Sequence, residues 1–350
     1  MAGTELESLL QDCIQKGASD LHLLHGSPPI YRISGQIVVT DMPQQDSGSI
    51  WSMLLPYFND RQQRAFQDMS RINISVTAPT GRFRVNLCMT LGTVSASIRV
   101  VPSKIYPLSA LGLPPIVGSL TQKTRGIIFV TGATGNGKST TMAAMLDHIN
   151  RSGNRPGKVV TIEDPIETLF KPAKCVFLQR EVGVDTPSFD LGIEDALRQD
   201  PDILCIGEMR TPESIRAALM AAETGHLVLT TLHTPDAAKT AQRVISMFPG
   251  NEQETIRDQL CNTLEAVISQ DLITRADGKG RILAIEVMLA VPAVRQLIKK
   301  GNLEQIYDLL QTGTSQGMIS KDASIKALYQ RSLISRESAL SHMRNPQLLA

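Results

Sequence analysis

The sequence predicts an α/β protein with three parts. An N-terminal α+β domain spans residues 1–100, a linker spans 101–115, and a core with a parallel sheet and a helical C-terminal region spans 116–350. Three observations predict it. Before residue 100, short segments alternate apolar and polar residues with period two, as half-buried strands do. From Gly126 onward, short apolar runs alternate with segments of helical spacing, the order that gives a parallel sheet covered on both faces. Between the first such run and the first such helix lies Gly132-Ala133-Thr134-Gly135-Asn136-Gly137-Lys138-Ser139, which fits G-x-x-x-x-G-K-[ST] at every required position.

In chain order, residues 4–16 carry Leu6, Leu9, Leu10, Cys13 and Ile14 on one side of an amphipathic helix stopped by Gly17. Ser19 to Leu23 alternates, as does Ile30 to Val38 across a turn at Gly35, and Trp51 to Phe66 returns to helical spacing. In Arg82 to Leu87, the residues Phe83, Val85 and Leu87 share one face, and Arg82, Arg84 and Asn86 the other. In Val94 to Val100 the apolar set is Val94, Ala96, Ile98 and Val100, with Arg99 opposite. Two such strands joined near Gly92 place Arg82, Arg84 and Arg99 on one polar sheet face. Clustered charge alone leaves a solvated basic face and a binding face equally open. Prolines 102, 107, 114 and 115 mark the linker.

The core begins with the strand Gly126 to Thr131, then the glycine loop, then a helix over Ser139 to Asn150 with Met142, Met145, Leu146 and Ile149 at helical spacing. Val159 to Ile162 reads as a strand, Ser188 to Arg198 as a helix, and Ile203 to Ile206 as a strand. Thr211 caps a helix with Pro212 at its first position. Leu227 to Leu232 is a strand, and Thr234-Pro235 opens another helix. From about Asn251 the chain reads as mostly helical, with Arg281 to Leu289 its one clear strand.

The glycine loop implies phosphate binding. Backbone N–H groups from Gly132, Ala133, Thr134, Gly135, Asn136, Gly137, Lys138, Ser139 and Thr140 can turn toward phosphate oxygens, and the helix N-terminus adds its dipole. Lys138 is placed for the β- and γ-phosphates of ATP, and Ser139 for Mg²⁺. The other strands end in polar residues on the same edge: Glu163-Asp164, Gly207-Glu208 and His233. Glu208 fits the metal shell, reaching Mg²⁺ through its waters, and Glu163 fits the group that orients or deprotonates the attacking water. His226 and His233 flank one strand, and only His233 stands at its carboxyl end.

Composition narrows the class. Hydrophobic residues make up 42% and charged residues 20%, enough for a packed core. A net charge of +1 gives no bulk case for nucleic acid or an anionic membrane. No apolar run approaches the ~20 residues of a spanning helix, and the acidic N-terminus lacks the apolar core of a secretion signal. The five cysteines form no C-x-x-C pair, so neither a zinc site nor a disulfide framework is indicated. A cytoplasmic protein is the plain expectation.

Four segments carry a family resemblance: TGATGNGKSTT at Thr131 to Thr141, TIEDPIE at Thr161 to Glu167, DPDILCIGEMR at Asp200 to Arg210, and TGHLVLTTLHT at Thr224 to Thr234. GASDLHL at Gly17 to Leu23 and GRFRVN at Gly81 to Asn86 accompany them, as does Ala293 to Ile298, which is similar to an A-I-R-N-L-I segment. Together they resemble the secretion ATPase superfamily, and within it the PilT-like retraction ATPases of type IV pili. The resemblance covers nearly the whole chain.

It implies a PAS-like N-terminal domain and a RecA-like ATPase core that uses ATP and Mg²⁺. It implies a homohexameric ring in which the N-terminal domain of one subunit packs on the core of the next. The partners implied are the inner-membrane platform protein of the pilus machine and a paralogous pilus ATPase, with no nucleic acid. The place implied is the cytoplasmic side of the inner membrane, peripherally, at the pilus base.

The resemblance turns Arg82, Arg84 and Arg99 toward a neighbour's nucleotide, and it sets both box histidines, His226 and His233, beside Glu163 and Glu208 as catalytic candidates. Thr90-Leu91-Gly92 stands where the family often has a further arginine, and Val294 and Gln296 depart from the C-terminal segment. Arg295 in that segment is expected to be exposed. The absence of a tetracysteine zinc element favours the retraction branch over the extension ATPases. The competing readings are a related ATPase of a type IV-like secretion or conjugation machine and a poorly hydrolysing accessory subunit. A helicase has the least support.

Overall fold

The computed structural model describes residues 2–101, 104–153 and 156–349, so Pro102 of the expected linker lies outside the described residues. The chain divides into two compact units, Met1–Lys104 with Glu167–Leu169, and Ile105–Ile166 with Phe170–Ala350.

In the first unit, period-two alternation produces the strands β1 (Ala18–Leu23), β2 (Ile30–Ile33), β3 (Gln36–Val39), β4 (Arg71–Ala78), β5 (Gly81–Thr90) and β6 (Thr93–Val101). They pair antiparallel in the order β3-β2-β1-β6-β5-β4. Phe83, Val85, Leu87, Val94, Ala96 and Ile98 are buried on one face against Leu6, Leu10 and Cys13 of the helix Ala2–Gln15 and Ile50, Met53 and Leu54 of Ser47–Leu54. Between β5 and β6 the chain reverses at Leu91 and Gly92, with φ of 51° and 77°. Two consecutive positive φ values match the two-residue hairpin turn whose twist suits the flanking strands.

That turn sets the register that places Arg84 directly opposite Arg99 and Arg82 opposite Val101. All three arginines therefore share the face away from the apolar layer. Arg82 donates to Thr77 Oγ1 at 3.0 Å, Arg84 pairs with Glu167 at 3.2 Å, and Arg99 pairs with Asp20 at 2.8 Å. Burial opposes ionisation of Asp20, but hydrogen bonds from Arg99 and Ser19 outweigh it and hold the carboxyl below its ordinary range.

In the second unit the sheet runs β13-β12-β7-β11-β10-β8-β9. Its strands are β7 (Gly126–Thr131), β8 (Gly157–Glu163), β9 (Cys175–Glu181), β10 (Ile203–Ile206), β11 (Leu227–Leu232), β12 (Leu264–Thr274) and β13 (Arg281–Leu289). Strands β12 through β9 are parallel, and only β13 runs antiparallel. Successive residues of β7 feed opposite layers. Ile127 and Phe129 face the helices Phe189–Leu197, Pro212–Glu223, Ala237–Ser246 and Gln253–Thr263, whereas Ile128 and Val130 face Lys138–Ser152. Covering on both faces is why these strands read as unbroken apolar runs.

The α/β expectation holds, with three corrections. Residues 264–274 form β12 rather than helix. This strand is buried on both sides yet carries Ser269, Gln270 and Asp271, so neither alternation nor an unbroken apolar run marked it. The sheet expected to be parallel ends in an antiparallel edge strand, because a hairpin joins β12 to β13. The helix after β11 starts at Ala237 with Asp236 as its cap, accepting from Lys239 N, rather than at Thr234-Pro235.

Arg295 is not a free surface residue. The helix Pro292–Lys300 buries Val294 and Ile298, and Arg295 donates to the Cys261 carbonyl near the end of helix Gln253–Thr263 and pairs with Glu265 at 3.4 Å. A cation at a helix C-terminus satisfies carbonyls that lack intrahelical partners. Removing it should cost stability: Arg295→Ala should lower the free energy of unfolding by roughly 1–2 kcal/mol, measured by denaturant titration. Unchanged stability would mean that these contacts hold nothing together, as for the exposed Arg295 expected from the sequence.

Glu286 in β13 is 3% exposed and accepts from Ala237 N at 2.8 Å. Burial pushes its carboxyl up from 4.5 to about 7, against backbone hydrogen bonds from Ala237 and Lys321. The folded chain thus binds this proton more tightly than the unfolded chain. The resulting stabilisation is fully present below about pH 4.5 and is lost as pH rises to about 7. Glu286→Gln should flatten the dependence of stability on pH across that window, read from unfolding midpoints. A variant with the wild-type slope would contradict this assignment.

Candidate functional site

The carboxyl ends of β7, β11, β10 and β8 lie along one edge of the core sheet. At the end of β7 the chain turns through 132–137 into the helix Lys138–Ser152. Gly132 has φ of +138°, and a β-carbon there would run into the carbonyl oxygen of Gln270, so the position admits only glycine. Gly137 is the N-cap and supplies no side-chain cap, which leaves first-turn N–H groups open to an anion. Ala133, Thr134, Gly135, Ser139 and Thr140 are exposed around the turn.

Lys138 is 8% exposed, and its ammonium donates to the carbonyls of Gly132 and Ala133 at 2.9 and 3.0 Å. It also stands 3.4 Å from His233 Nδ1. His233 Nε2 in turn lies 3.5 Å from Glu208 Oε2, and the other Glu208 oxygen pairs with Arg210. The imidazole therefore bridges the loop lysine and the strand-end carboxylate. The lysine can only donate, so the neutral Nε2–H tautomer fits both neighbours. Both separations are long for hydrogen bonds and describe electrostatic proximity.

Glu163 ends β8, three strands from β7 and thus roughly 14 Å across the sheet at ~4.8 Å per strand. Its Oε1 accepts from Thr161 Oγ1 at 2.7 Å and from Gln179 Nε2 at 3.4 Å. Glu208 is one strand closer, on the chain just after β10. The exposed Ser139 hydroxyl and the largely buried Glu208 carboxylate are hard oxygen donors of the kind Mg²⁺ takes, so the residues present fit that ion.

His226 does not belong to this edge. It precedes β11 at the amino end, roughly 20 Å from the carboxyl edge at ~3.3 Å per residue. Its ring nitrogen contacts Ala221 O at 2.9 Å and Thr224 Oγ1 at 3.2 Å, closing the helix Pro212–Glu223. Within its own chain His226 therefore stands apart from Lys138, Glu208 and His233, at the end of the helix Pro212–Glu223. Arg82, Arg84 and Arg99 belong to the first unit and stay with the partners described above.

Several residues that shape the site carried no sequence signal. Thr131 shares a 2.7 Å hydrogen bond with Ser269, Gln270 donates to Thr141 Oγ1 at 2.8 Å, and Arg281 donates to the Gly135 carbonyl at 3.1 Å. These pairs are more than 120 residues apart in the chain, so local pattern could not join them.

Comparison with known proteins agrees with the geometry. The family model of type II/IV secretion system proteins matches residues 4–338. The chain is 41% identical over 344 residues to the type IV pilus retraction ATPase PilT of Pseudomonas aeruginosa, covering 98% of this chain and 99% of that one. It is 40% identical over 323 residues to a twitching motility protein of Neisseria gonorrhoeae, covering 92% and 86%. The crystal structure of the pilus retraction motor PilT with bound ADP matches with a TM-score of 0.90 at 39% identity, covering 98% of each chain.

Proposed function

This chain belongs to the type II/IV secretion system protein family, and on that premise we propose that it is the ATP-hydrolysing motor of type IV pilus retraction. The observation that carries the reading is the convergence of three sequence boxes at one sheet edge: Lys138 of the glycine loop, His233 after β11 and Glu208 after β10. The pilus-retraction relatives at about 40% identity along most of the chain supply the biological task.

The roles follow from chemistry. Lys138 exchanges the neutral carbonyls of Gly132 and Ala133 for charged β- and γ-phosphate oxygens, a stronger partnership. Ser139 and, by way of water, Glu208 would hold Mg²⁺, which would supply neutralisation of the charge that develops on the triphosphate. Glu163, steadied by Thr161 and Gln179, orients the attacking water and takes its proton. His233 reports on the γ-phosphate, since any shift of Lys138 changes its contact with Nδ1.

Six copies form the ring, and each supplies Arg82, Arg84 and Arg99 to its neighbour's nucleotide. The Arg84–Glu167 and Arg99–Asp20 pairs have arginine side chains 36% and 67% exposed. A pair open to water on both sides, as Arg84–Glu167 is, is worth only ~0–1 kcal/mol, so trading Glu167 for a triphosphate costs little, whereas the Asp20 side chain is 10% exposed and, among the described residues, keeps only its hydrogen bond from Ser19 when Arg99 leaves. The ring works at the cytoplasmic side of the inner membrane against the platform protein of the pilus base, alongside a paralogous ATPase.

Lys138→Ala should abolish ATP hydrolysis by the purified protein, and turnover near wild type would refute the phosphate-loop assignment. Glu163→Gln should still bind Mg-ATP but lose ~10²–10⁴-fold in turnover. A loss under about threefold would instead pass the water-handling role to Glu208. For the arginines the measurement is subunit mixing. Arg84→Ala or Arg99→Ala should each depress turnover steeply, within the ~10³–10⁵ range of an arginine finger. Rings mixed from Lys138→Ala and Arg84→Ala subunits should regain part of the activity that neither has alone. No recovery from intact mixed rings would mean that the arginines serve only their own chain.

A further inference from the structure

Behind the nucleotide edge, a run of polar contacts fastens two of its loops together. Asn136, in the glycine loop, donates through Nδ2 to Gln270 O at 3.1 Å and to Asp271 Oδ1 at 2.8 Å. The second oxygen of Asp271 pairs with Lys321 Nζ at 2.9 Å. The same ammonium donates to the carbonyl of Pro235, two residues beyond His233. One lysine thus bridges the support of the glycine loop and the segment that follows His233.

Lys321 is an unusual choice for mere stability. It is the first residue of the helix Lys321–Gln330, where a cation meets the positive end of the helix dipole. Its side chain is 14% exposed and that of Asp271 24%, so both charges give up much of their hydration. Pairing inside protein often does no better than break even against that loss. What the arrangement secures is geometry. The Lys321 backbone N–H also serves Glu286, whose carboxylate accepts from Ala237 N. The segment from Pro235 to Ala237 is therefore held at both ends, and Asn136 is held from below.

We propose that Asp271 and Lys321 are positioning residues of the ATPase, which keep the glycine loop and the His233 segment in the register that lets Lys138, His233 and Glu208 meet. The inference rests on the reading of this edge as an ATP-hydrolysing site. Asp271 lies in β12 and Lys321 in the helical C-terminal region, so elements outside the four sequence boxes take part in setting catalytic geometry.

The test uses the full-length protein, with steady-state ATP hydrolysis, affinity for a fluorescent ADP and melting temperature measured together. Lys321→Met keeps the aliphatic stem and removes the ammonium. Asp271→Asn keeps an acceptor for Asn136 and removes the charge. Each should lower kcat by roughly 10–100-fold, the scale of a small misplacement of reacting groups, while ADP affinity and melting temperature stay near wild type. The double variant should lose no more than the worse single one, because both break one connection, and Lys321→Arg should recover part of the rate. Wild-type kcat in either single variant, or fully additive losses, would overturn the proposal. Loss of kcat, ADP affinity and melting temperature together would make the pair structural, which also overturns it. A wild-type protein that binds no ADP and hydrolyses no ATP would instead bring down the reading of the site, and this inference with it.

Discussion

The parallel pairing of β7 between β12 and β11 is the constraint on which the rest of the core depends. All six residues of β7 are buried, and its neighbours hold it in register along its length. Pairing with β11 sets Thr131 beside Leu232, so the glycine loop and His233 leave the sheet side by side. Pairing with β12 sets Thr131 beside Ser269, so the loop emerges over Gln270 and Asp271. A slip of one residue would turn Ile127 and Phe129 into the layer that Ile128 and Val130 fill. Packing of both layers therefore enforces the register of this edge.

The same strand explains the composition of the loop. Gly132 passes so close to the Gln270 carbonyl that any side chain would collide, and Asn136 then hydrogen-bonds to that same carbonyl. One backbone group of β12 thus shapes the turn at both ends. The loop's curvature comes from its glycines, but its position comes from a strand more than 130 residues later in the chain.

In the first unit the governing fact is alternation. One face of β5 and β6 is apolar and closed by helices, so Arg82, Arg84 and Arg99 have only the other face to occupy. Arg84 and Arg99 sit directly opposite each other, a like-charge arrangement that is unfavourable unless anions are near. Glu167 and Asp20 supply them.

By itself the sequence determined what depends on short range. Period-two alternation placed β5 and β6 with their arginines on one face, and apolar runs followed by Glu163, Glu208 and His233 placed strand ends on one edge. The glycine loop was legible because its pattern is eight consecutive residues. Only the tertiary structure decided which strands are neighbours. It put β11 beside β7, so that His233 rather than Glu208 stands next to Lys138, and it left Glu163 three strands away. It turned 264–274 from helix into β12 and drew Arg295 onto the end of a neighbouring helix. It also joined Asn136, Asp271, Lys321 and Pro235. The physical reason is common to all of these. Periodicity records which face of an element is buried, but strand order and long-range hydrogen bonds arise from packing between segments far apart in the chain, and no local pattern encodes them.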